Sequence, residues 1–133
     1  MIFLDTSAVY ALADKADPNH VAAYTKFGLA LKSGETFLLH NYILAESVAL
    51  LQARLGVQSA ILFLNEAKAF EVEWVDSTLH QEAKEELERI GRRGISFVDC
   101  TSFVVMRRRG VQTVLAFDPD FHHQGFLISE LLT

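Results

Sequence analysis

The sequence predicts an α/β fold with a central, mostly parallel sheet and helices on both faces, and three observations carry that expectation. Short apolar runs such as Ile2–Leu4 and Val114–Phe117 lack the in-and-out alternation of a half-exposed strand, which marks strands buried on both faces. Longer stretches with helical spacing separate them, as in βα-alternating chains. Two acids, Asp5 and Asp118, stand directly behind two of the runs. In open parallel sheets, ligands sit beyond the carboxyl ends of the strands, where these acids fall. A chain of 133 residues fits one such unit, so residues 1–133 are expected to form a single domain.

The elements follow in order. Ile2 to Leu4 is a buried strand stopped by Asp5-Thr6-Ser7, with a short helix through Tyr10 and Leu12 behind it. Asp17-Pro18 reads as a helix start with proline at the first helical position. Val21, Tyr24, Leu29 and Leu31 are the apolar positions that carry this helix to Ser33-Gly34. Thr36 to His40 forms a second strand. Asn41 is a favourable N-cap for a helix running to Leu55, and Gly56 ends it. Gln58 to Phe70 repeats the apolar pattern in another helix, and Val72 to Val75 is a strand. Asp76 caps a charged amphipathic helix through Arg92, whose early acids and late arginines suit the helix dipole. Ser96-Phe97-Val98-Asp99 has the S-x-x-D pattern of a capping box and opens a helix to Arg109 and Gly110. Thr113 to Phe117 and Phe126 to Ile128 complete the strands. Trp74 and the ten phenylalanines are expected in the core.

Composition removes several classes. Half the residues are apolar, 22% are charged and two are proline, which excludes disorder and low complexity. Mean hydropathy is +0.20, yet the longest apolar run, Ala8 to Ala13, is far below the roughly 20 residues that span a bilayer. The start has no basic segment before its apolar run and reaches an acid at Asp5, so no signal peptide is expected. A single cysteine, Cys100, supports neither an internal disulfide nor a cysteine zinc site. The expected location is cytoplasmic. The net charge of −5 argues mildly against non-specific nucleic-acid binding, but six of the twelve cations lie between Arg89 and Arg109.

Four carboxylates stand where their surroundings disfavour charge. Asp5 terminates Met-Ile-Phe-Leu, and Asp118 ends Val-Leu-Ala-Phe with Asp120 two residues later. Asp99 has Ile95 and Phe103 one turn away on either side. Glu46 has Tyr42, Ile43, Ala49 and Leu50 at helical spacing, which directs it along the apolar face. Each has a structural alternative: a helix cap at Asp5, the capping box at Asp99, a turn at Asp118-Pro119-Asp120, and an arginine partner for Glu46. Together, three element ends and one helix interior converge on one sheet edge. Two charges about 4 Å apart repel by about 4 kcal/mol at an effective dielectric near 20. Such a cluster calls for bound cations or raised pKa values. All-oxygen ligands favour Mg²⁺ or Mn²⁺, and such ions activate water and stabilise charge on a phosphodiester.

The stretches "IFLDTSAVYAL", "LHNYILAESVALL", "GISFVDCTSFVVMRRRG" and "VLAFDPDF" hold these four acids in order from residue 2 to residue 121. In that order and context they resemble the PIN-domain ribonucleases, particularly toxins of the VapC type. The resemblance implies a Rossmann-like PIN fold and a Mg²⁺- or Mn²⁺-dependent endoribonuclease. It assigns catalysis to Asp5, Glu46, Asp99 and Asp118. Asp5 and Asp99 would be the main metal ligands, joined by Asp118, with Glu46 and Asp120 auxiliary. Thr6 or Ser7 would hydrogen-bond a site acid or the attacking water. The family often has a hydroxyl residue two positions before the fourth acid, whereas this chain has Ala116. Membership further implies an RNA substrate, a homodimer and a small antitoxin of the VapB type.

Arg92, Arg93, Arg107, Arg108 and Arg109 lie at expected helix C-termini, where they either compensate the dipole or contact RNA or a partner. His122 and His123 are adjacent and share no helix face, so a surface position fits them better than metal ligation. Cys100 fits a small buried residue. Tyr10 and Tyr42 lie near the acids, where packing or stacking on a base are both open. Three other readings compete with the toxin: a stand-alone RNA-processing PIN nuclease, an aspartate-nucleophile phosphatase and a receiver-like binding module. The phosphatase requires a second Asp two residues after the first, where Ser7 stands. The receiver requires a phosphoacceptor Asp on a middle strand and a late Lys, and neither is evident.

Overall fold

At the centre of the sheet lies β1 (Ile2–Leu4), with all three residues buried. In the computed structural model, which describes residues 1–128, β2 (Phe37–His40) and β4 (Thr113–Leu115) flank β1, and β3 (Glu71–Glu73) and β5 (Leu127–Ile128) form the edges. The order is β3-β2-β1-β4-β5, and every described pairing is parallel. Phe3 registers against Leu38 on one side and Val114 on the other, and all three are fully buried. Strands covered on both faces need no alternation, which is why the short apolar runs were legible as strands.

The helices are α1 (Thr6–Ala13), α2 (His20–Lys32), α3 (Asn41–Leu55), α4 (Val57–Glu66), α5 (Ser77–Ile90), α6 (Phe97–Arg109) and the short α7 (Asp120–His123). From Cys100 to Met106 every residue of α6 is buried, so this helix is wrapped by neighbours rather than laid on a surface. Phe103 packs edge-on against Phe121 at 5.2 Å and stacked on Phe126 at 5.8 Å. A second aromatic group joins Phe27, Phe37 and Phe70, with Phe27 stacked on Phe37 at 4.5 Å.

Several sequence expectations need correction. Helix α2 starts at His20, after Pro18-Asn19, and its exposed Val21, Tyr24, Leu29 and Leu31 are not its core face. Small Ala23 and Ala30 are fully buried instead, with Phe27 partly so. His40, not Asn41, caps α3: its Nδ1 accepts from the Ile43 N–H at 3.2 Å. Asn41 is the first helical residue instead, and its Oδ1 accepts from the Val75 N–H at 2.6 Å. Helix α5 ends at Ile90, where Gly91 adopts the left-handed φ of 61° that closes it. Trp74 is 68% exposed, outside the core, because β3 is an edge strand and the chain leaves the sheet at that residue. The capping box of α6 and the Asp76 cap of α5 are formed as expected.

Candidate active site

The strand order reverses direction at β1: the chain first builds outward through β2 and β3, then returns to place β4 on the other side. Such a switch opens a crevice beyond the strand ends between β1 and β4. Asp5 and Asp118 flank this crevice, and Asp99 enters it from the N-terminal turn of α6.

Asp5 caps α1. One carboxylate oxygen, Oδ2, accepts from the Ser7 N–H at 3.1 Å and from the Ser7 hydroxyl at 2.6 Å. The same Ser7 Oγ accepts from the Phe117 N–H at 3.0 Å, and the Asp5 N–H donates to Leu115 O at 3.2 Å. These contacts tie the two crevice walls together. Asp5 is only 4% exposed, and burial raises its pKa from 3.8 to about 6 against the lowering effect of the Ser7 bonds. The charges of Asp99 and Asp118 add to the rise, which places all three within electrostatic reach of one another.

Asp99, half-buried, closes the capping box: its Oδ2 accepts from the Ser96 N–H at 3.2 Å. Burial, then the charges of Asp118 and Glu46, raise its pKa despite the Ser96 bonds. Asp118 is raised likewise by burial and by the neighbouring Asp120, whose N–H donates to Asp118 Oδ1 at 2.9 Å. That bond curls the Asp118-Pro119-Asp120 turn back on itself. Asp99, Asp118 and Asp120 consequently offer carboxylate oxygens that all lie within 4.8 Å of one another.

Asp120 thus belongs to the converging group. Asp5 and Glu46 stand outside this group of three, although their charges are felt there. Glu46 is exposed, contrary to the expectation of an apolar setting. On α3 the buried stripe is Ile43, Ser47 and Leu51, and Glu46 lies beside it, where its charge reaches Asp99. Three half-buried carboxylates with no amino-group or thiol donor among them fit a hard divalent cation such as Mg²⁺ or Mn²⁺.

Of the hydroxyl pair, Ser7 holds the acid and Thr6 does not: Thr6 Oγ1 accepts from Ser47 at 3.5 Å, packing α1 on α3. Ala116 is buried, and Ser7 supplies the hydroxyl contact at this wall of the crevice. Tyr10 packs, with its hydroxyl donating to Asp14 at 2.6 Å and Arg54 over its ring. Cys100 is fully buried, and burial pushes its thiol up to about 11, which leaves it inert. His122 and His123 are exposed; the His123 ring lies 4.0 Å from Asp120.

The arginine stretch divides. Arg107, Arg108 and Arg109 sit at the far end of α6, about 12–15 Å along its axis from Asp99. There Arg107 pairs with Glu86 at 2.8 Å, and Arg109 with Glu71 at 2.6 Å and Glu73 at 3.2 Å. Arg107 and Arg109 therefore brace α5 and β3 against α6. Arg92 and Arg93 remain at the acidic end, exposed in the loop before Ser96, with no ion pair among the described residues.

One buried group escaped the sequence reading. His40 is fully buried, and its Nδ1 accepts from Ile43. Its Nε2 must then carry the proton, donating to Ser102 Oγ at 2.9 Å, and that hydroxyl donates to Val98 O at 3.1 Å. The chain joins the start of α3 to the turn of α6 that carries Asp99. Burial pushes the His40 pKa down from 6.5 to about 3. The unfolded chain binds a proton below 6.5 that the native state refuses, so this contribution is full above 6.5 and is lost as pH falls toward 3. His40→Ala strands the Ile43 N–H and opens a cavity, so urea denaturation at pH 7 is expected to show a loss of about 2–4 kcal/mol.

The sequence matches the profile of the PIN domain across residues 2–127. It is 37% identical over 129 residues, 96% of each chain, to the 23S rRNA-specific endonuclease VapC20 of Mycobacterium tuberculosis, the relative found in two strains. The fold is similar to the crystal structure of M. tuberculosis VapC20, a sarcin–ricin loop cleaving toxin. The TM-score is 0.83 at 35% identity, over 96% of this chain and 97% of that one.

Proposed function

The chain belongs to the PIN domain family, and from that membership we propose that it is a Mg²⁺- or Mn²⁺-dependent endoribonuclease, the toxin of a VapBC-type pair. The observation that carries the metal reading is the convergence of Asp99, Asp118 and Asp120 within 4.8 Å beside the buried Asp5. These acids would hold the cation. When bound, it would offset their mutual repulsion, activate water and stabilise charge on the scissile phosphate.

The chain's own residues do the rest. Ser7 fixes the Asp5 carboxylate against both crevice walls. The capping box fixes Asp99, and the backbone of Asp120 fixes Asp118. Glu46 is exposed within charge reach of Asp99, where it can take a proton from entering water. Arg92 and Arg93, without an ion pair among the described residues, would hold flanking phosphates without reading sequence. A stand-alone processing nuclease would use the same site. The aspartate-nucleophile reading is disfavoured, since Ser7 at the second position is spent on Asp5 and the Phe117 backbone.

An apolar groove of about 340 Å³ between α1, α2 and α4 is lined by Val9, Leu12, Tyr24, Phe27, Leu62 and Phe63. Exposed Val21, Ile61 and Leu64 lie on the same two outer helices, α2 and α4. This is the surface that an apolar antitoxin segment would cover, and a homodimer would bury further apolar area. No described helix is long and apolar enough to cross a membrane.

A direct test incubates the purified protein with a sarcin–ricin loop oligonucleotide and with total RNA, in Mg²⁺, Mn²⁺ or EDTA. Mapping of the new ends is expected to show discrete cleavage that EDTA abolishes. RNA left intact in both metals would sink the reading. Arg92→Ala/Arg93→Ala is expected to weaken RNA binding across sequences and to lower the slope of log affinity against log salt by roughly one per charge removed.

A further inference from the structure

Polar contacts hold helix α6 to its neighbours at two places. Its far end is held by Arg107 on Glu86 and by Arg109 on Glu71 and Glu73. Its first turns carry Asp99, and among the described residues one hydrogen bond ties them to another helix or strand. That bond runs from His40 Nε2 to Ser102 Oγ at 2.9 Å. His40 and Ser102 are both fully buried, so water competes for neither group. The Ser102 hydroxyl donates to Val98 O at 3.1 Å, one residue before Asp99, and accepts from His40. At its other nitrogen His40 caps α3, the helix of Glu46, through the Ile43 N–H at 3.2 Å. Strand β2 runs parallel to β1, so His40, its last residue, also stands at the sheet end where Asp5 follows β1. One ring therefore holds the start of α3 and the first turns of α6 at once.

Cys100, Phe103 and Val104, the other buried neighbours of this turn, pack without direction, and apolar contact alone leaves a helix free to turn slightly about its axis. A hydrogen bond weakens steeply away from linearity and so selects one rotation. A turn of roughly 20° would carry an atom at the side-chain radius of a helix by about 2 Å. A binding constellation tolerates only about 0.5 Å and 10–20°. Turning α6 would also strand the buried His40 N–H, which opposes the motion. In a deepening of the metal-dependent reading above, on which it rests, we propose that His40 is a positioning residue. Its Nε2–H, acting through Ser102, sets the rotation of α6 that delivers the Asp99 carboxylate to the cation.

The two ring nitrogens can be tested separately. In His40→Asn the amide oxygen takes the place of Nδ1, keeping the cap on Ile43 but falling short of Ser102. In His40→Gln the amide nitrogen takes the place of Nε2 and keeps the link to Ser102. Mn²⁺ titrations of the folded proteins can be followed by the electron paramagnetic resonance of the free ion. Affinity is expected to fall about tenfold in His40→Asn and in Ser102→Ala, and to stay within about twofold of wild type in His40→Gln. The double variant His40→Asn/Ser102→Ala should lose no more than either single one, since both break the same bond. Every variant lowers Tm, whereas a merely structural role would leave the affinity of the folded protein alone. Undiminished affinity in Ser102→Ala, which removes a single oxygen, overturns the proposal even if His40→Asn does not fold. Equal losses in His40→Gln and His40→Asn would assign the effect to general loosening and overturn it too. Wild-type protein that binds no Mn²⁺ would instead refute the metal reading itself, so the two failures are told apart by the wild-type control.

Discussion

Asp5→Asn is expected to abolish RNA cleavage and yet to make the cation-free protein more stable above pH 6. The substitution spares the local structure, because both Ser7 bonds converge on a single oxygen that asparagine retains. What it removes is a buried charge facing Asp99 and Asp118. In the wild type the Asp5 pKa rises from 3.8 to about 6 on folding. Between those values the unfolded chain has released a proton that the native state keeps. Stability from this group is full below 3.8 and is lost as pH rises through 6. The loss approaches about 3 kcal/mol at neutral pH. Asparagine never ionises, so the stability difference between variant and wild type should be near zero at pH 4 and grow to at most about 3 kcal/mol at pH 7.5. His40 changes with pH in the opposite sense, but it does so in both proteins and cancels in the difference. Urea titrations in EDTA across that range measure it. Cleavage should fall by at least about a hundredfold, as for loss of a charge-stabilising group. A wild type as stable as the variant at pH 7.5 would show that Asp5 carries no strain, and unaltered cleavage would remove it from the site.

Asp99→Asn should be equally damaging to cleavage, and it separates chemistry from capping. Asparagine still accepts from the Ser96 N–H, so α6 keeps its box while the crevice loses one of three converging carboxylates. Ser96→Ala does the reverse: it removes the hydroxyl that accepts from the Asp99 N–H at 3.0 Å and leaves the carboxylate. We expect the Mg²⁺-induced rise in Tm to vanish in Asp99→Asn, with cleavage at least about a hundredfold slower. Ser96→Ala should lose about 1 kcal/mol and several degrees of Tm while keeping the cation response. Thermal melts with and without Mg²⁺, together with initial cleavage rates, decide the matter. The opposite pattern would reduce Asp99 to a helix cap.

The strand-end acids were readable because their signal is local. A carboxylate directly behind an apolar run is costly wherever the run is buried, and the α/β pattern places those ends on one edge. Glu46 shows the limit of that reasoning. Its helical neighbours are apolar, but which of them face inward depends on the rotation of α3, and the buried stripe passes one position over. Asp120 shows another: its approach to Asp99 depends on the turn formed with Asp118, and the D-P-D spacing was the available signal. His40 carried no signal, because its partners Ile43 and Ser102 are joined only when β2 and α6 meet.

From the sequence alone came the parallel α/β class, the four acids in order and the family resemblance, since periodicity and solvation act within a few residues of each position. The tertiary structure decided which acids touch, which arginines are spent on glutamates and why an indole stands in water. Those outcomes depend on β1 lying between β2 and β4 and on the rotation of each helix against the sheet. They are distances between residues remote in sequence, which no local pattern encodes.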